Sequence, residues 1–490
     1  MVFPVIGGDG KPTGYEISNS LRVEADDSPK LSKTVSTATN TTNMTFSLWY
    51  KLGELATMGF ISKFADSNNR FHLRIMDDGS LLAYNNVSGT YHYKTTTAKL
   101  RDLSAWYHIV FAYDTTDSTA ADRLKIYLNG TRLTSFVNNT NPSSNEALKI
   151  ASDTSNPIKL LCSNDEDAYL SGYVSDLYYI DGQTKAPTNF GETNDNGVWI
   201  PKKYLGTFGN NGFKMEFQQT GTSANSSGIG ADTSGNDHHL TVANLAATDV
   251  TTDTPTNNFA TLVPALNIAL SEGNTKVVTT RTSNWDGVHS SIGVTSGKWY
   301  FELKASLSDD SFRIAGGFAG NPETFPKIFN GLGDNGDPLN TFSNTYPFYG
   351  KGVWLSHWYD QNYDDSSTAS AQSSGDILQF ALDMDNYKLW VGVNGQFKDN
   401  SNNNVSYSDV ASGNSPTVTI ASAAYTGKTF FPGILIRDDQ DADDNVAEIN
   451  FGNPSFSISS GNTDGLYGNF EYAVPSGYYA LCTKRLATYG

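Results

Sequence analysis

The sequence contains very little cysteine and few charged residues. Only two cysteines occur among 490 residues, Cys162 and Cys482. Two thiols so far apart imply no disulfide framework, and they exclude a cysteine-rich zinc site. We expect both to be small buried apolar residues. Charged residues make up only 17% of the chain, which disfavours long surface helices because those draw on Glu, Lys and Arg.

Neither membranes nor nucleic acids are expected partners. No stretch approaches the ~20 apolar residues that span a bilayer. The N-terminal MVFPVI lacks the basic start and the apolar core of a signal peptide, so we expect a protein made in the cytoplasm. The formal net charge is −18, and a field of that sign repels nucleic acid phosphates and anionic membrane surfaces.

Turn-forming and aromatic residues, by contrast, are plentiful. Gly, Ser, Thr and Asn are abundant and aromatic residues reach 12%, which favours strands joined by polar turns. Short segments such as 124–128 and 388–393 are predicted to be strands. Each leads into an Asn-Gly pair, at 129–130 and 394–395, which is a strong hairpin signal. The sequence predicts an all-β fold of two antiparallel β-sandwich (jelly-roll) domains.

The pattern divides the chain into four parts. Residues 1–20 are predicted to form an extended N-terminal arm that becomes ordered by docking onto another surface. Residues 21–182 and 296–490 contain regularly spaced short strands and form the two predicted sandwiches. Residues 183–295 are rich in Asn, Thr, Gly and Pro. We predict an irregular linker there, whose few strands complete the neighbouring sandwiches.

Four segments of the first sandwich occur in a characteristic order. They are FSLWY at 46–50, WYHIVF at 106–111, IYLNG at 126–130 and a final strand at 172–181. This series resembles the laminin-G/concanavalin-A-like jelly roll. The resemblance implies a jelly roll over 21–182, and members of that family often bind calcium.

Three segments of the second sandwich form another such series. They are GKWYFE at 297–302, two strands joined by a short acidic turn within 375–395, and a closing pair within 431–452. This series is similar to the SPRY domain. The resemblance implies a second β-sandwich whose ligand loops lie between its strands.

The segment between the two sandwiches carries a third resemblance. It contains IDG at 180–182, FGE at 190–192, GVWIPK at 197–202 and NGF at 211–213. These motifs resemble the linker of marine tailed-phage tail-fibre and virion proteins. The resemblance implies a structural and adhesive role on a virion, at the tail or the capsid surface, with other virion proteins as partners. It also implies a homo-oligomer, and a trimer is favoured.

The sequence shows no catalytic signature. A glycosidase needs two carboxylates that face each other across a groove, but acidic pairs such as 309–310 and 364–365 lie in turn-like polar segments. His72 and His108 lie within predicted strands, where we expect a structural role. No metalloprotease, serine-hydrolase or P-loop pattern occurs. We predict no catalytic residues and no enzymatic activity.

The densest acidic run is a candidate metal site. Residues 438–444 read DDQDADD, and the alternate carboxylates of Asp439, Asp441 and Asp443 could supply the oxygen ligands that calcium prefers. The EF-hand pattern is not met, because Asp444 stands where that loop has Gly. A charged hairpin tip without metal is the alternative. No other cofactor is expected.

The best ligand-binding candidate is an aromatic stretch between residues 342 and 363. Its candidate residues are Tyr349, Trp354, Trp358, Tyr359 and Tyr363. Sugar rings stack on aromatic faces while their hydroxyls need polar partners, and Ser, Asn, Asp and Gly lie between these rings. The stretch therefore predicts glycan binding. The alternative is that the rings pack a long loop onto the sandwich or into a subunit contact.

These observations predict a phage tail-fibre or receptor-binding protein that engages a host-surface glycan. A capsid-decorating fibre, or another virion structural protein with no receptor role, is the first alternative. A glycan-cleaving enzyme is the second, because concanavalin-A-like folds include glycosidases and fold alone does not define activity.

Overall fold

The computed structural model describes residues 14–163, 166–264, 268–279, 286–306, 313–319, 348–353, 374–401, 403–419, 429–437 and 446–490. They divide into two compact units, 14–258 and 259–490. Each unit has its own apolar core between β-sheets whose strands are mostly antiparallel. The predicted all-β fold is confirmed.

Unit 1 contains short strands, single turns of 3-10 helix and a one-turn α-helix, α1 (Lys149–Ser152). Its strands in chain order are β1 (Ser20–Val23), β2 (Lys30–Lys33), β3 (Asn43–Leu52), β4 (Met58–Asp66), β5 (Asn69–Ile75), β6 (Ser80–Val87), β7 (Thr90–Lys99), β8 (Trp106–Asp114), β9 (Leu124–Leu128), β10 (Thr131–Leu133), β11 (Phe136–Asn139), β12 (Ile158–Leu160), β13 (Gly172–Asp181), β14 (Gly191–Thr193), β15 (Trp199–Pro201), β16 (Phe213–Met215), β17 (Thr241–Ala243) and β18 (Val250–Thr251).

Two sheets enclose the core of unit 1. Sheet A has the order β10-β9-β8-β3-β13-β1-β18, and β16 also pairs with β13. Sheet B has the order β11-β7-β6-β5-β4-β12-β2-β17. Side chains alternate across each strand. Phe46 and Leu48 of β3 therefore join Phe71 and Leu73 of β5 in one buried cluster, while the residues between them lie on the outer faces.

The predicted linker, 183–295, is shared between the two units. Strands β16, β17 and β18 pair with β13, β2 and β1 of unit 1. The division between the units falls after residue 258, and the rest of the predicted linker belongs to unit 2. Part of the predicted arm also lies on unit 1, since the backbone N–H of Ile17 donates to Thr256 Oγ1 at 3.2 Å.

Among its described residues, unit 2 contains two short helices, α2 (Tyr407–Ser412) and α3 (Thr483–Tyr489). Its strands in chain order are β19 (Ile268–Ser271), β20 (Lys276–Thr279), β21 (Asp286–His289), β22 (Lys298–Ser306), β23 (Arg313–Ala319), β24 (Phe348–Val353), β25 (Ile377–Asp383), β26 (Lys388–Val393), β27 (Gln396–Lys398), β28 (Asn404–Val405), β29 (Val418–Thr419), β30 (Phe431–Arg437), β31 (Val446–Asn450) and β32 (Tyr479–Ala480).

The strands of unit 2 also form two sheets. One has the order β19-β20-β31-β22-β25-β26-β27-β28, with β29 paired to β26 and β32 paired in parallel to β22. The other has the order β21-β30-β23-β24. Phe301 and Phe380 stack at 4.6 Å between ring centroids, and Phe318 packs against Phe301 at 5.2 Å. These rings form the centre of the second core.

A later segment of the chain covers the outer face of the larger sheet of unit 2. Tyr300 and Trp390 lie in a buried cluster with Phe470 and Tyr478. The fully buried carboxylate of Glu302 accepts hydrogen bonds from the backbone N–H groups of residues 471 and 472, at 3.0 and 2.9 Å. These contacts hold the 470–478 region on the sheet.

Both Asn-Gly hairpins predicted from the sequence are present. Asn129 and Gly130 join β9 to β10 with φ of 46° and 78°, and Asn394 and Gly395 join β26 to β27 with φ of 46° and 86°. Positive φ at both central residues matches the twist of the flanking strands. These turns therefore fix the register of the strands on either side.

The remaining expectations concern the cysteines and the membrane. Cys162 and Cys482 are buried, as predicted, and neither forms a disulfide; they lie in different units. None of the helices in the described ranges is long and apolar enough to cross a membrane.

Candidate functional site

Most of the site residues predicted from the sequence lie outside the described residues. These are Trp354, Trp358, Tyr359 and Tyr363 of the aromatic stretch and Asp439, Asp441 and Asp443 of the acidic run. Tyr349 lies in β24, at the position opposite Phe318 of β23. All of these stay predictions. Within the part of the chain that the structure describes, no group of three or more His, Cys, Asp or Glu could hold a metal ion.

A different aromatic surface lies on the outer face of sheet B. Phe71, Leu73 and Ala83 of β5 and β6 point into the core, so the residues between them point outwards. We call the outward-facing set the tyrosine face. Its members are Arg70 and His72 of β5, Tyr84 and Asn86 of β6, and Tyr91 and Tyr93 of β7.

The strand register aligns these side chains across the sheet. His72, Tyr84 and Tyr93 lie directly opposite one another on adjacent strands, and the other three members form a second row. The β6–β7 hairpin turns at Ser88 and Gly89, both with positive φ. The backbone N–H of Gly89 donates to the carbonyl of Asn68 at 3.0 Å. This bond ties the hairpin to the neighbouring β4–β5 turn.

The rings of the tyrosine face form an ordered stack. Tyr84 lies parallel to His72 with 4.6 Å between centroids, and nearly parallel to Tyr91 with 6.0 Å between centroids. Tyr93 lies 6.0 Å from Tyr91. Tyr91 is 53% exposed, whereas Tyr84 and Tyr93 are half-buried. Because each ring is held by its neighbours, the exposed surface is oriented before any ligand arrives.

The phenol hydroxyl groups supply polar chemistry at the same surface. Asn86 Nδ2 donates to the Tyr84 hydroxyl oxygen at 3.2 Å and to the carbonyl of Ser67 at 3.2 Å. Tyr84 therefore keeps its own O–H proton for donation. The hydroxyls of Tyr91 and Tyr93 make no hydrogen bond to any described residue. Apolar ring surface beside unused hydroxyls is the combination that a sugar ring requires.

The outer face of sheet A carries similar residues but is covered by the chain. His108 stacks on Trp49, with ring centroids 4.9 Å apart. Phe190 and Tyr204, from the segment predicted as a linker, complete a buried cluster there. Trp199 stacks beside His108 at 5.9 Å. The segment that covers this face spans residues 186–208, which we call the cover segment.

Hydrogen bonds fix His108 in its neutral form. The indole N–H of Trp199 donates to His108 Nδ1 at 3.0 Å. An indole nitrogen cannot accept, so the imidazole proton lies on Nε2, which donates to Ser47 Oγ at 2.9 Å. Burial lowers the pKa of His108 to about 3. His108 is thus part of an internal contact, consistent with the structural role expected from the sequence.

Two carboxylates come together on sheet A, but protein groups occupy both. Asp176 lies in a bulge of β13, and burial raises the pKa of its carboxyl. Lys214 Nζ lies 3.4 Å from Asp176 Oδ1 and 2.7 Å from Glu216 Oε1. The Tyr15 and Tyr178 hydroxyls donate to Asp176 at 3.0 and 2.7 Å. This cluster ties residue 15 and the chain around β16 to the sheet.

The sequence did contain a signal for the tyrosine face. Tyr91 and Tyr93 are two residues apart, so a strand places them on one side. A hairpin that pairs Val87 with Thr90 places Tyr84 opposite Tyr93. The turn between them is Ser-Gly, a weaker hairpin signal than Asn-Gly. The pairing was therefore not evident before the strands were located.

Comparison with protein families identifies a lectin-type domain in unit 1. Residues 24–188 match the family Laminin_G_3, described as the concanavalin A-like lectin/glucanases superfamily. The match contains strands β2 to β13 and therefore the whole tyrosine face. It confirms the predicted resemblance of the first domain to laminin-G and concanavalin-A-like jelly rolls. No curated protein matches the chain.

Several solved structures are similar to parts of this chain. The SPRY domain of human HERC1 is 15% identical, with 37% of this chain and 91% of that chain covered and a TM-score of 0.26. The native heptameric SAP-like pentraxin from Limulus polyphemus is 18% identical, with 35% and 80% covered and a TM-score of 0.26. Domain 4 of AbnA, a GH43 extracellular arabinanase from Geobacillus stearothermophilus, in complex with arabinotriose, is 18% identical, with 32% and 66% covered and a TM-score of 0.23.

Proposed function

We propose that this protein is a non-enzymatic adhesive protein and that the tyrosine face of unit 1 binds glycans. One observation carries the proposal. An ordered, partly exposed stack of tyrosines lies within residues 24–188, the part that matches a lectin-type superfamily. Sugars offer both apolar C–H faces and hydroxyl groups, and this surface offers aromatic rings and phenol groups to them.

The wider role follows the resemblance of the joining segment to virion proteins. We propose a tail-fibre or receptor-binding protein of a tailed phage, assembled as a trimer with other virion proteins and directed at a host-surface glycan. One aromatic surface gives low affinity at each site. Repetition in an oligomer raises the effective concentration, so many weak contacts together hold the particle.

Removing the exposed rings tests the binding proposal. The full chain, the double variant Y91A/Y93A and the control L205A are compared on an immobilised glycan array and then by titration with the best ligand. Leu205 is 86% exposed and lies in the cover segment of unit 1. An aromatic contact contributes about 0.5–1.5 kcal/mol, so the double variant should bind about tenfold more weakly. Equal binding by the double variant and by the control contradicts the proposal.

The aromatic stretch predicted from the sequence provides the competing arm of this test. The double variant W354A/W358A is measured on the same array. If it loses binding while Y91A/Y93A keeps it, the glycan surface belongs to the later stretch. The viscosity of a soluble polysaccharide is also measured during incubation with the protein. A fall in viscosity contradicts the proposed absence of catalysis.

Position on the particle tests the wider role. Cryo-electron microscopy of the intact virion should place a few copies of the protein at the tail. Many copies on the head would instead favour a capsid-decorating fibre, and absence from the particle would contradict a virion role.

A further inference from the structure

Arg70 is a cation on the tyrosine face. Its guanidinium lies over the ring of Tyr84, with Cζ 5.1 Å from the ring centroid. Its Nε atom has no hydrogen-bond partner among the described residues, and no ion pair joins Arg70 to any of them. The net charge of −18 repels anions at long range, so an anionic ligand needs a local cation at the surface where it binds. Arg70 is half-buried, and its guanidinium is a cation that this surface offers to such a ligand.

The neighbouring arginine on the same strand shows the contrast. Arg74 also points outwards from β5, but its Nη2 atom lies 3.5 Å from Asp167 Oδ1 and its Nε donates to Ser163 Oγ. The acid nearest to Arg70 in sequence is Asp66, whose carboxylate accepts hydrogen bonds from the backbone of Asn68 and the side chain of Asn69. The chain thus uses Arg74 in internal contacts, whereas Arg70 forms no ion pair with any of the described residues.

We infer that the tyrosine face selects a glycan containing an anionic sugar, whose carboxylate or sulfate pairs with Arg70 while the sugar ring contacts Tyr91. A guanidinium forms parallel hydrogen bonds to an oxyanion, and its contact with an aromatic ring fixes the plane of the fork. This inference rests on the proposed glycan-binding function and adds the class of sugar. The rest of the ligand lies along the phenol groups of Tyr84 and Tyr93.

Matched ligands separate charge from sugar binding. Oligogalacturonate is compared with its methyl ester, which has the same backbone without the negative charge. Dextran sulfate is compared with dextran, to distinguish a sulfate ligand from a carboxylate ligand. Affinities of the full chain are measured at low and at high salt. Because exposed charge pairs are screened, only the charged ligand of the preferred pair should lose affinity as salt rises.

Two arginine variants identify the group responsible. R70Q removes the arginine that is proposed to bind the anion. The control R101Q removes an exposed arginine that follows the C-terminal end of β7. Both variants change the net charge equally. An exposed charge pair contributes up to about 1 kcal/mol, so R70Q should bind the charged ligand about fivefold more weakly. R101Q should bind it like the unmodified protein, and neither variant should change binding of the neutral ligand.

The outcomes distinguish this inference from the proposal on which it rests. A charged ligand that binds more tightly than its neutral match, with a preference lost only in R70Q, supports the inference. An unchanged preference in R70Q, or an equal loss in R70Q and R101Q, overturns it. Equal affinity for charged and neutral ligands, together with loss in Y91A/Y93A, overturns the inference and leaves glycan binding intact. If no ligand binds, both are overturned.

Discussion

On the outer face of sheet A, His108 stacks on Trp49 and is 1% exposed beneath the cover segment. On the outer face of sheet B, His72 stacks on Tyr84, and Tyr91 at the end of the same stack is 53% exposed. Both faces therefore combine a histidine with aromatic rings on a flat sheet. They differ in burial. The cover segment buries His108 on sheet A, whereas Tyr91 on sheet B remains partly exposed.

The difference shows how this fold separates stability from binding. Aromatic rings on a sheet are apolar, and burying them under another segment stabilises the folded state. The cover segment does this for sheet A through Phe190, Trp199 and Tyr204. Unit 2 uses the same device, since Phe470 and Tyr478 cover the outer face of its larger sheet. Tyr91, at the exposed end of the tyrosine stack, is 53% exposed, so a partner that binds there buries further ring surface.

Replacing the buried Phe190 of the cover segment by alanine should have the largest effect on stability. Phe190 is fully buried, and Phe-to-Ala substitutions in a core cost about 3–5 kcal/mol. We expect F190A to lower the free energy of unfolding of unit 1 by that amount in urea titrations. Burial raises the pKa of Cys162 to about 12, so its reaction with a thiol reagent should report opening of unit 1. Cys482 should report unit 2, and faster labelling of Cys482 alone would contradict this assignment.

Acid should have the second-largest effect, because it removes the contribution of His108 to the stability of unit 1. Folded His108 stays neutral down to about pH 3, whereas the unfolded chain takes up a proton near pH 6.5. The unfolded state therefore binds more protons below pH 6.5, and stability from this group falls by about 1.4 kcal/mol per pH unit. Between pH 7 and pH 5 the loss is about 2 kcal/mol. The variant H108Q should lose this part of the pH dependence, and an identical pH profile in both proteins would show that His108 does not contribute.

Replacing the exposed Tyr91 of the tyrosine face by alanine should have the smallest effect on the free energy of unfolding. Tyr91 has half of its surface in solvent, and substitutions at exposed positions usually change the free energy of unfolding by less than about 0.5 kcal/mol. We expect Y91A to unfold like the unmodified protein in urea while weakening glycan binding. A loss of stability comparable to that of F190A would mean that the tyrosine stack is part of the core, which would remove the distinction between the two faces.

Local patterns determined the strands and several of the turns. The short apolar and aromatic segment 106–113 predicted β8, and Asn129 with Gly130 predicted the β9–β10 hairpin, because both signals act between residues close in the chain. The lectin-type domain at residues 24–188 was also recognisable from such segments in order. The tyrosine face was not, because its members come from three strands and a ligand surface depends on their register.

The sequence by itself determined the all-β class, the two sandwiches and the buried cysteines, since composition and period-two patterns specify these. Only the tertiary structure decided which outer face is covered. Phe190, Trp199 and Tyr204 lie in a segment whose irregular spacing resembles that of a linker. Their burial depends on contacts with β8 and β13, two strands of sheet A that are distant from each other in the chain. Those contacts form only when sheet A is assembled, whereas the end of the tyrosine stack on sheet B stays exposed, with Tyr91 53% accessible.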